Sequence, residues 1–269
     1  MPGDDSESKA LIEAAKVVAP KLYEDAIQPA AKQIGQALET IGRLANVAIS
    51  PALFAAYSGE HVVDFLMKRL KSKLEAIPPD ERQAPQTSVL GPALEAIRFK
   101  GDEVEVQELF ANLLASDMDK RAAKRILPAF VEIIRQLSPD EARILRVLQK
   151  HRRHFPVVHI EYTSFGKTVI AAWNLSLLGL EAGCGYPNLI QSYLDNLSRL
   201  GIIQFLPKGE MYLSESYREV EAYPDYVALK NVYRSSNSTS DFIRTGFNVT
   251  ALGQDLIEAS IPKKPKRDL

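Results

Sequence analysis

From Leu11 onward apolar residues recur at helical spacing: Leu11, Ala15, Val18, Leu22, Ala26, Ala30, Ile34, Leu38, Ile41 and Ala45. Lys16, Lys21, Glu24, Lys32 and Glu39 fill the opposite side, so the stretch predicts an amphipathic helix. Pro20 and Pro29 each remove a backbone donor and predict a break or kink. Packing on neighbouring helices is the expected use of this stripe, with a membrane-surface helix as the alternative. The run Leu44–Ser58 then carries no charge, with Pro51 inside it and Gly59 at its end. It falls short of the roughly 20 residues that cross a bilayer, so it reads as a buried segment or, alternatively, a membrane contact. In that second use Leu44, Val47, Ile49, Leu53 and Phe54 are the lipid-facing candidates. The next predicted helix, about residues 60–76, alternates Val62, Val63, Phe65, Leu66, Leu70 and Leu74 with Lys68, Arg69, Lys71 and Lys73. Those four cations form a solvated face or attract anionic lipid.

Ile77–Pro92 is a connection punctuated by Pro78, Pro79, Pro85 and Pro92. Helices are expected over Pro92–Phe99, Glu103–Ser116 (apolar face Val106, Leu109, Phe110, Leu113, Leu114) and Leu127–Leu137. Ser138-Pro139-Asp140-Glu141 opens another helix as a capping box, with serine as N-cap, proline at N1 and glutamate three residues on. After His154 the texture changes. Phe155–Tyr162 is β-branched and predicts a strand, while apolar Val169–Leu180 predicts a helix. Leu189–Leu200 is an amphipathic helix with Gly201 as its C-cap. The runs IIQFL and EMYLSESY flank Pro207-Lys208-Gly209 and predict a hairpin. Residues 218–240 are polar and tyrosine-rich and end in the loop-like SSNSTS. FNVTALGQDLIEAS predicts a strand and a helix capped by Thr250, and the tail IPKKPKRDL is basic.

Three blocks in order carry a family resemblance: PALEA (Pro92–Ala96), ELFANLLASDMD (Glu108–Asp119) and PAFVEIIRQLSPDEA (Pro128–Ala142). Together with the proline-rich link before them, they resemble the Abi-alpha (abortive infection alpha) family of bacterial proteins. In abortive infection an infected cell stops growing or dies before phage spread, so the resemblance implies a process; it supplies no catalytic residues. The C-terminal order of helix, RLGII, hairpin and VTALGQDLI resembles the end of a winged helix, carried by Thr250 and Gly253. That resemblance makes Asn188, Gln191 and Arg199 candidate groove contacts and Lys208 and Arg218 candidate wing contacts for nucleic acid.

Composition narrows the picture. The 269 residues are 46% hydrophobic, enough for a sizeable core, and the formal net charge of −1 gives no overall basic field for nucleic acid or membrane. One cysteine, Cys184, excludes an intrachain disulfide and a thiolate zinc site. The acidic start MPGDDSESKA lacks a secretory signal, so a cytoplasmic protein is expected, membrane-associated on activation in the alternative above.

Candidate chemistry is sparse. His151, His154 and His159 suggest a metal site, but no carboxylate or cysteine stands at ligand spacing and HRRH places two cations between the first two. Glu103, Glu105, Glu108, Asp117 and Asp119 are read as charges at helix ends rather than acid–base pairs. SFGKT (Ser164–Thr168) lacks the first glycine of a phosphate loop, because position 161 is Glu161, and reads as a turn. Cys184 between two glycines is read as a small buried thiol.

The expectation is therefore a mainly α protein: an N-terminal helical bundle followed by a small α+β winged-helix-like domain. Residues 1–9 form a disordered leader, 10–150 an all-helical Abi-alpha-like domain with its proline-rich connection at 77–92, 155–260 the winged-helix-like domain and 261–269 a basic tail. Function is expected to be non-enzymatic phage defence with no cofactor and no metal. The expected partner is another protein or a second copy of the chain, then a membrane surface. A winged-helix DNA-binding transcriptional regulator is the alternative, and a hydrolase or nuclease with a dispersed site is the third reading.

Overall fold

The computed structural model describes residues 68–100, 103–150, 155–207, 214–234 and 237–262. The predicted leader, the helix from Leu11, the uncharged run Leu44–Ser58, His151, His154, Lys208 and the tail from Lys263 lie outside the described residues. The protein is mainly helical with a four-stranded antiparallel sheet, and it divides into two compact units, Met1–Gln136 and Leu137–Leu269. Among the described residues no helix is long and apolar enough to cross a membrane.

The described part of the first unit is helical: residues 68–75 (α1), α2 Thr87–Phe99, α3 Val104–Asp117 and α4 Ala129–Arg135, with 3-10 turns at Pro79–Glu81 and Ala123–Arg125. Leu70 and Leu74 of α1, Val89, Leu90 and Ile97 of α2 and the predicted face of α3 are buried, as are Phe130, Val131 and Ile134 of α4. The start of α2 differs from the sequence expectation. It lies at Thr87, and Pro92 sits inside the helix. Two features permit this. The Gln86 backbone N–H and Nε2 both donate to the Asp117 carboxylate at 2.7 Å, so a buried acid satisfies donors at the helix start. The residue before the proline is Gly91, which has open space and no Cβ to meet the proline ring. Burial pushes the Asp117 carboxyl above its ordinary value despite the bonds from Gln86.

The second unit opens with α5 Pro139–Lys150. Its capping box forms as the sequence predicts: Ser138 N–H and Oγ donate to Glu141 Oε2 at 2.7 and 2.8 Å, and Glu141 N–H donates to Ser138 Oγ at 3.3 Å. Strand β1 (Phe155–Ser164) turns directly into β2 (Lys167–Leu175). The short α6 (Leu178–Glu181), α7 (Ile190–Arg199) and β3 (Ile203–Phe205) follow. After a 3-10 turn at Ser214–Tyr217 come α8 (Arg218–Ala222), α9 (Pro224–Val232), β4 (Ser238–Val249) and α10 (Ala251–Ser260). The sheet order is β2-β1-β4-β3.

Two local expectations are corrected. Val169–Leu175 is not helical: it is most of β2, paired with β1 from Val169↔Tyr162 to Leu175↔Val158, so cross-strand partners override an apolar composition that suits either state. Residues 208–213, which hold Lys208-Gly209 and the EMYL run of the expected hairpin, lie outside the described residues. β3 pairs with the end of β4 through Ile203↔Val249 and Phe205↔Phe247, and Ser214–Tyr217 is a 3-10 turn. There Tyr217 is fully buried and donates to the Thr245 carbonyl at 2.8 Å, an anchor that strand geometry does not supply. Finally, Ser238–Ser240 of the loop-like run are strand, aligned with Ser164, Thr163 and Tyr162 of β1.

Alternation along β1 gives the sheet two buried sides. Val158 and Ile160 join Ala172, Leu175, Tyr217 and Val220 in one cluster, with Tyr226 and Leu229 of α9 packed against it. On the other side Phe155 stacks on Phe247 at 5.0 Å, Phe205 meets Phe247 edge-on at 6.2 Å, and α7 runs along β2 and β3. The Thr250 prediction holds: its Oγ1 accepts from Gly253 N–H at 2.9 Å as the N-cap of α10 and donates to the Gly201 carbonyl at 2.6 Å. A Cβ on Gly253 would lie 2.2 Å from the Ile202 carbonyl oxygen, so only glycine lets α10 approach this closely.

Candidate functional site

The β1–β2 ladder is irregular where it meets α7. Val158 pairs with Leu175 and Ile160 with Ala172, so Trp173 and Asn174 together stand opposite His159. This is a β-bulge, an extra residue that re-aims side chains and bends the strand. Asn174 takes the left-handed conformation, φ 54°, which asparagine tolerates better than most residues. Its backbone N–H donates to His159 Nδ1 at 3.0 Å. Nδ1 is therefore the acceptor, and the neutral ring carries its proton on Nε2. The Asn174 side chain turns toward α7, where Nδ2 donates to Asp195 Oδ1 at 2.8 Å. The Trp173 ring is tilted 58° from His159 with centroids 4.9 Å apart and remains 55% exposed.

These residues line a cleft of about 550 Å³, within the size range of small-molecule sites. Ile170, Phe205 and Leu206 form its apolar walls, and Ser198 and Thr245 add hydroxyls. Among the described residues, Asp195 is the one carboxylate that lines it, and no lysine or arginine does.

A second polar cluster surrounds Asp140 at the start of α5. Its carboxylate accepts from Gly185 N–H at 2.8 Å, Tyr186 N–H at 3.0 Å, the Tyr193 hydroxyl at 2.8 Å and the Arg143 guanidinium. Burial alone would raise the carboxyl, but these donors outweigh it and hold the group below its ordinary value. Burial and the Asp140 carboxylate raise the Tyr193 hydroxyl in turn. The cluster clamps the 184–186 loop and α7 to α5. Cys184 sits at its edge, where burial and then the Asp140 charge push the thiol up to about 11. A thiol so protonated is a poor nucleophile.

The sequence-predicted residues are placed as follows. Leu44, Val47, Ile49, Leu53 and Phe54 lie outside the described residues. Arg69 and Lys73 both reach Glu108 as ion pairs, while Lys68 and Lys71 are exposed. Asn188 is exposed in the 3-10 turn Pro187–Leu189 that precedes α7, and Gln191 is half-buried in the first turn of α7; Arg199 ends that helix with its guanidinium on Asn196 Oδ1; Arg218 is exposed on α8. The structure does not bring them to the cleft. SFGKT is the β1–β2 turn: Phe165 (φ 49°) and Gly166 (φ 71°) both have positive φ, the signature of a two-residue hairpin. His159 is in the cleft, and among the described residues no group of three or more His, Cys, Asp or Glu side chains is placed to hold a metal. Trp173, Asn174 and Ser198 were missed by reasoning from the sequence. The only signal was a lone tryptophan and an asparagine side by side in an apolar run, VIAAWNL.

The profile of a family described as abortive infection alpha matches residues 58–260. No curated protein matches the chain. One solved structure, an uncharacterized protein from the hydrocarbon-degrading marine bacterium Alcanivorax borkumensis SK2, is 19% identical over 48% of this chain and 89% of that one. Its TM-score of 0.35 is too low to carry an argument. The family match spans most of the chain, all four strands and every described helix; the protein belongs to the abortive infection alpha family.

Proposed function

We propose that the chain is a non-enzymatic abortive infection protein of the bacterial cytoplasm. It acts in phage defence through protein–protein contacts and through membrane association of its N-terminal amphipathic helices. The observation that carries this reading is the family match over residues 58–260. The non-enzymatic part is supported by the structural work that chemistry-bearing groups already do. Asp140 clamps a loop, Asp117 caps α2, Glu108 holds two cations and the Cys184 thiol is held protonated. The membrane part is supported by the uncharged Leu44–Ser58 run and by the exposed Lys68 and Lys71 that follow it.

The test is phage plating on cells expressing the full chain, its Phe54→Asp variant, or neither. Reduced plating with the full chain and restored plating with Phe54→Asp is the expected result. Unchanged plating with the full chain removes the defence reading, and protection retained by Phe54→Asp removes the membrane part. Dye release from anionic liposomes reads the second point directly.

The DNA-binding alternative is favoured by one feature, the antiparallel β3–β4 pair that follows α7 and leads into α10. Mobility shifts across a salt series decide it: a steep salt slope with sequence preference supports it, and no shift at low salt eliminates it.

A further inference from the structure

We propose that the bulge cleft of the second unit binds a planar heterocycle that offers two neighbouring N–H donors, the edge that guanine presents. This goes beyond the defence reading and does not depend on the membrane part of it.

The argument starts from the polar groups. Asn174 is 8% exposed and lines the cleft. Its backbone N–H is used by His159 and its Nδ2 by Asp195, which leaves Oδ1 as an acceptor with no partner among the described residues. A nearly buried amide oxygen without a donor is costly, and a ligand N–H removes that cost. Asp195 uses Oδ1 for Asn174, and its second oxygen likewise has no partner among the described residues. The hydrogen bond between the two side chains fixes both, so the cleft presents two adjacent acceptors held in place before anything binds. The ligand must therefore bring donors.

The aromatic part follows from Trp173. More than half of this indole is exposed at the mouth of the cleft, and its partner ring, His159, is tilted rather than stacked, so an indole face is left for a planar group. Bases read in protein pockets are held in this way, by stacking on side chains and by hydrogen bonds along one edge. Among the described residues the lining has one carboxylate and no lysine or arginine, which disfavours a phosphate near the ring and points to a nucleoside or free base rather than a nucleotide. Guanine places two donors side by side, whereas adenine, cytosine and uracil each offer a single donor group on the same edge.

Trp173 is the only tryptophan of the chain, so its fluorescence reports this cleft alone. The experiment titrates the full chain with guanosine, adenosine, uridine and guanosine 5′-monophosphate, with calorimetry as a second readout. Guanosine is expected to give a saturable change with a dissociation constant on the order of 100 µM, the affinity of a ligand of that size at ordinary efficiency. Adenosine and uridine are expected to bind at least about tenfold more weakly. Asp195→Ala, a change on an exposed helix position, is expected to weaken guanosine by about tenfold while the variant melts as the parent does. Three results overturn the proposal: no saturable change with guanosine to about 1 mM, equal binding to Asp195→Ala, or tighter binding of the monophosphate than of the nucleoside.

Discussion

The start of α5 and the cleft beside α7 are built from the same materials. Each gathers one carboxylate, an aromatic side chain and backbone N–H groups, and each ties α7 to another element. At Asp140 four donors converge on the acid, and both carboxylate oxygens are in use. At Asp195 one oxygen meets one amide, and the amide's own oxygen has no partner among the described residues. The first arrangement is closed and its worth is stability. The second keeps acceptors in reserve beside an exposed indole, which is the condition for binding something else. The difference teaches that polar side chains in this unit are to be judged by how completely their hydrogen bonds are used, rather than by residue type.

The largest expected effect is on the closed cluster. Asp140→Ala leaves two amides, a tyrosine hydroxyl and an arginine without their shared acceptor. It is expected to cost about 4 kcal/mol in urea unfolding, with the transition of the second unit moving most. A loss below about 1 kcal/mol would show that the cluster is not a clamp. The pH dependence follows from the same carboxyl. Its folded value is lowered, so its contribution is present above the ordinary carboxylate range and is lost as pH falls below about 4. The acid limb of the stability curve should be shallower in Asp140→Asn than in the parent. Asp117 of the first unit runs the other way: its raised carboxyl favours the folded state at low pH and disfavours it as pH rises. Next in size is Tyr193→Phe, which removes one donor from Asp140 and is expected to cost about 1.5 kcal/mol by the same measurement. The smallest effect belongs to the cleft. Asp195→Ala is expected to change stability by no more than about 0.5 kcal/mol, because the side chain is exposed and holds a single bond. If it destabilised as much as Asp140→Ala, the two regions would be the same kind of structure and the contrast would fail.

Much of the fold was legible locally. The capping box at Ser138–Glu141, the Thr250 cap, the Gly201 end of α7 and the Phe165-Gly166 turn are each written in a few consecutive residues and form as read. The family was legible too, from three short blocks in order. The candidate cleft was not. His159, Trp173, Asn174 and Asp195 come from two strands and a helix, and what unites them is an extra residue in the β1–β2 register. No local pattern announces such a bulge, and the run that carries it, VIAAWNL, has a composition that suits a helix equally well.

The sequence by itself determined the caps, the turns, the absence of a disulfide and the family, because each rests on neighbouring residues or on composition. Tertiary structure alone decided three things: that Val169–Leu175 is a strand, that β3 pairs with β4 across an intervening pair of helices, and that one aspartate is fully satisfied while another has an oxygen with no partner among the described residues. These depend on partners distant in sequence, Val158 for Leu175, Phe247 for Phe205, Gly185 and Tyr193 for Asp140. A side chain's hydrogen-bond balance is a property of the assembled unit, and a linear pattern does not contain it.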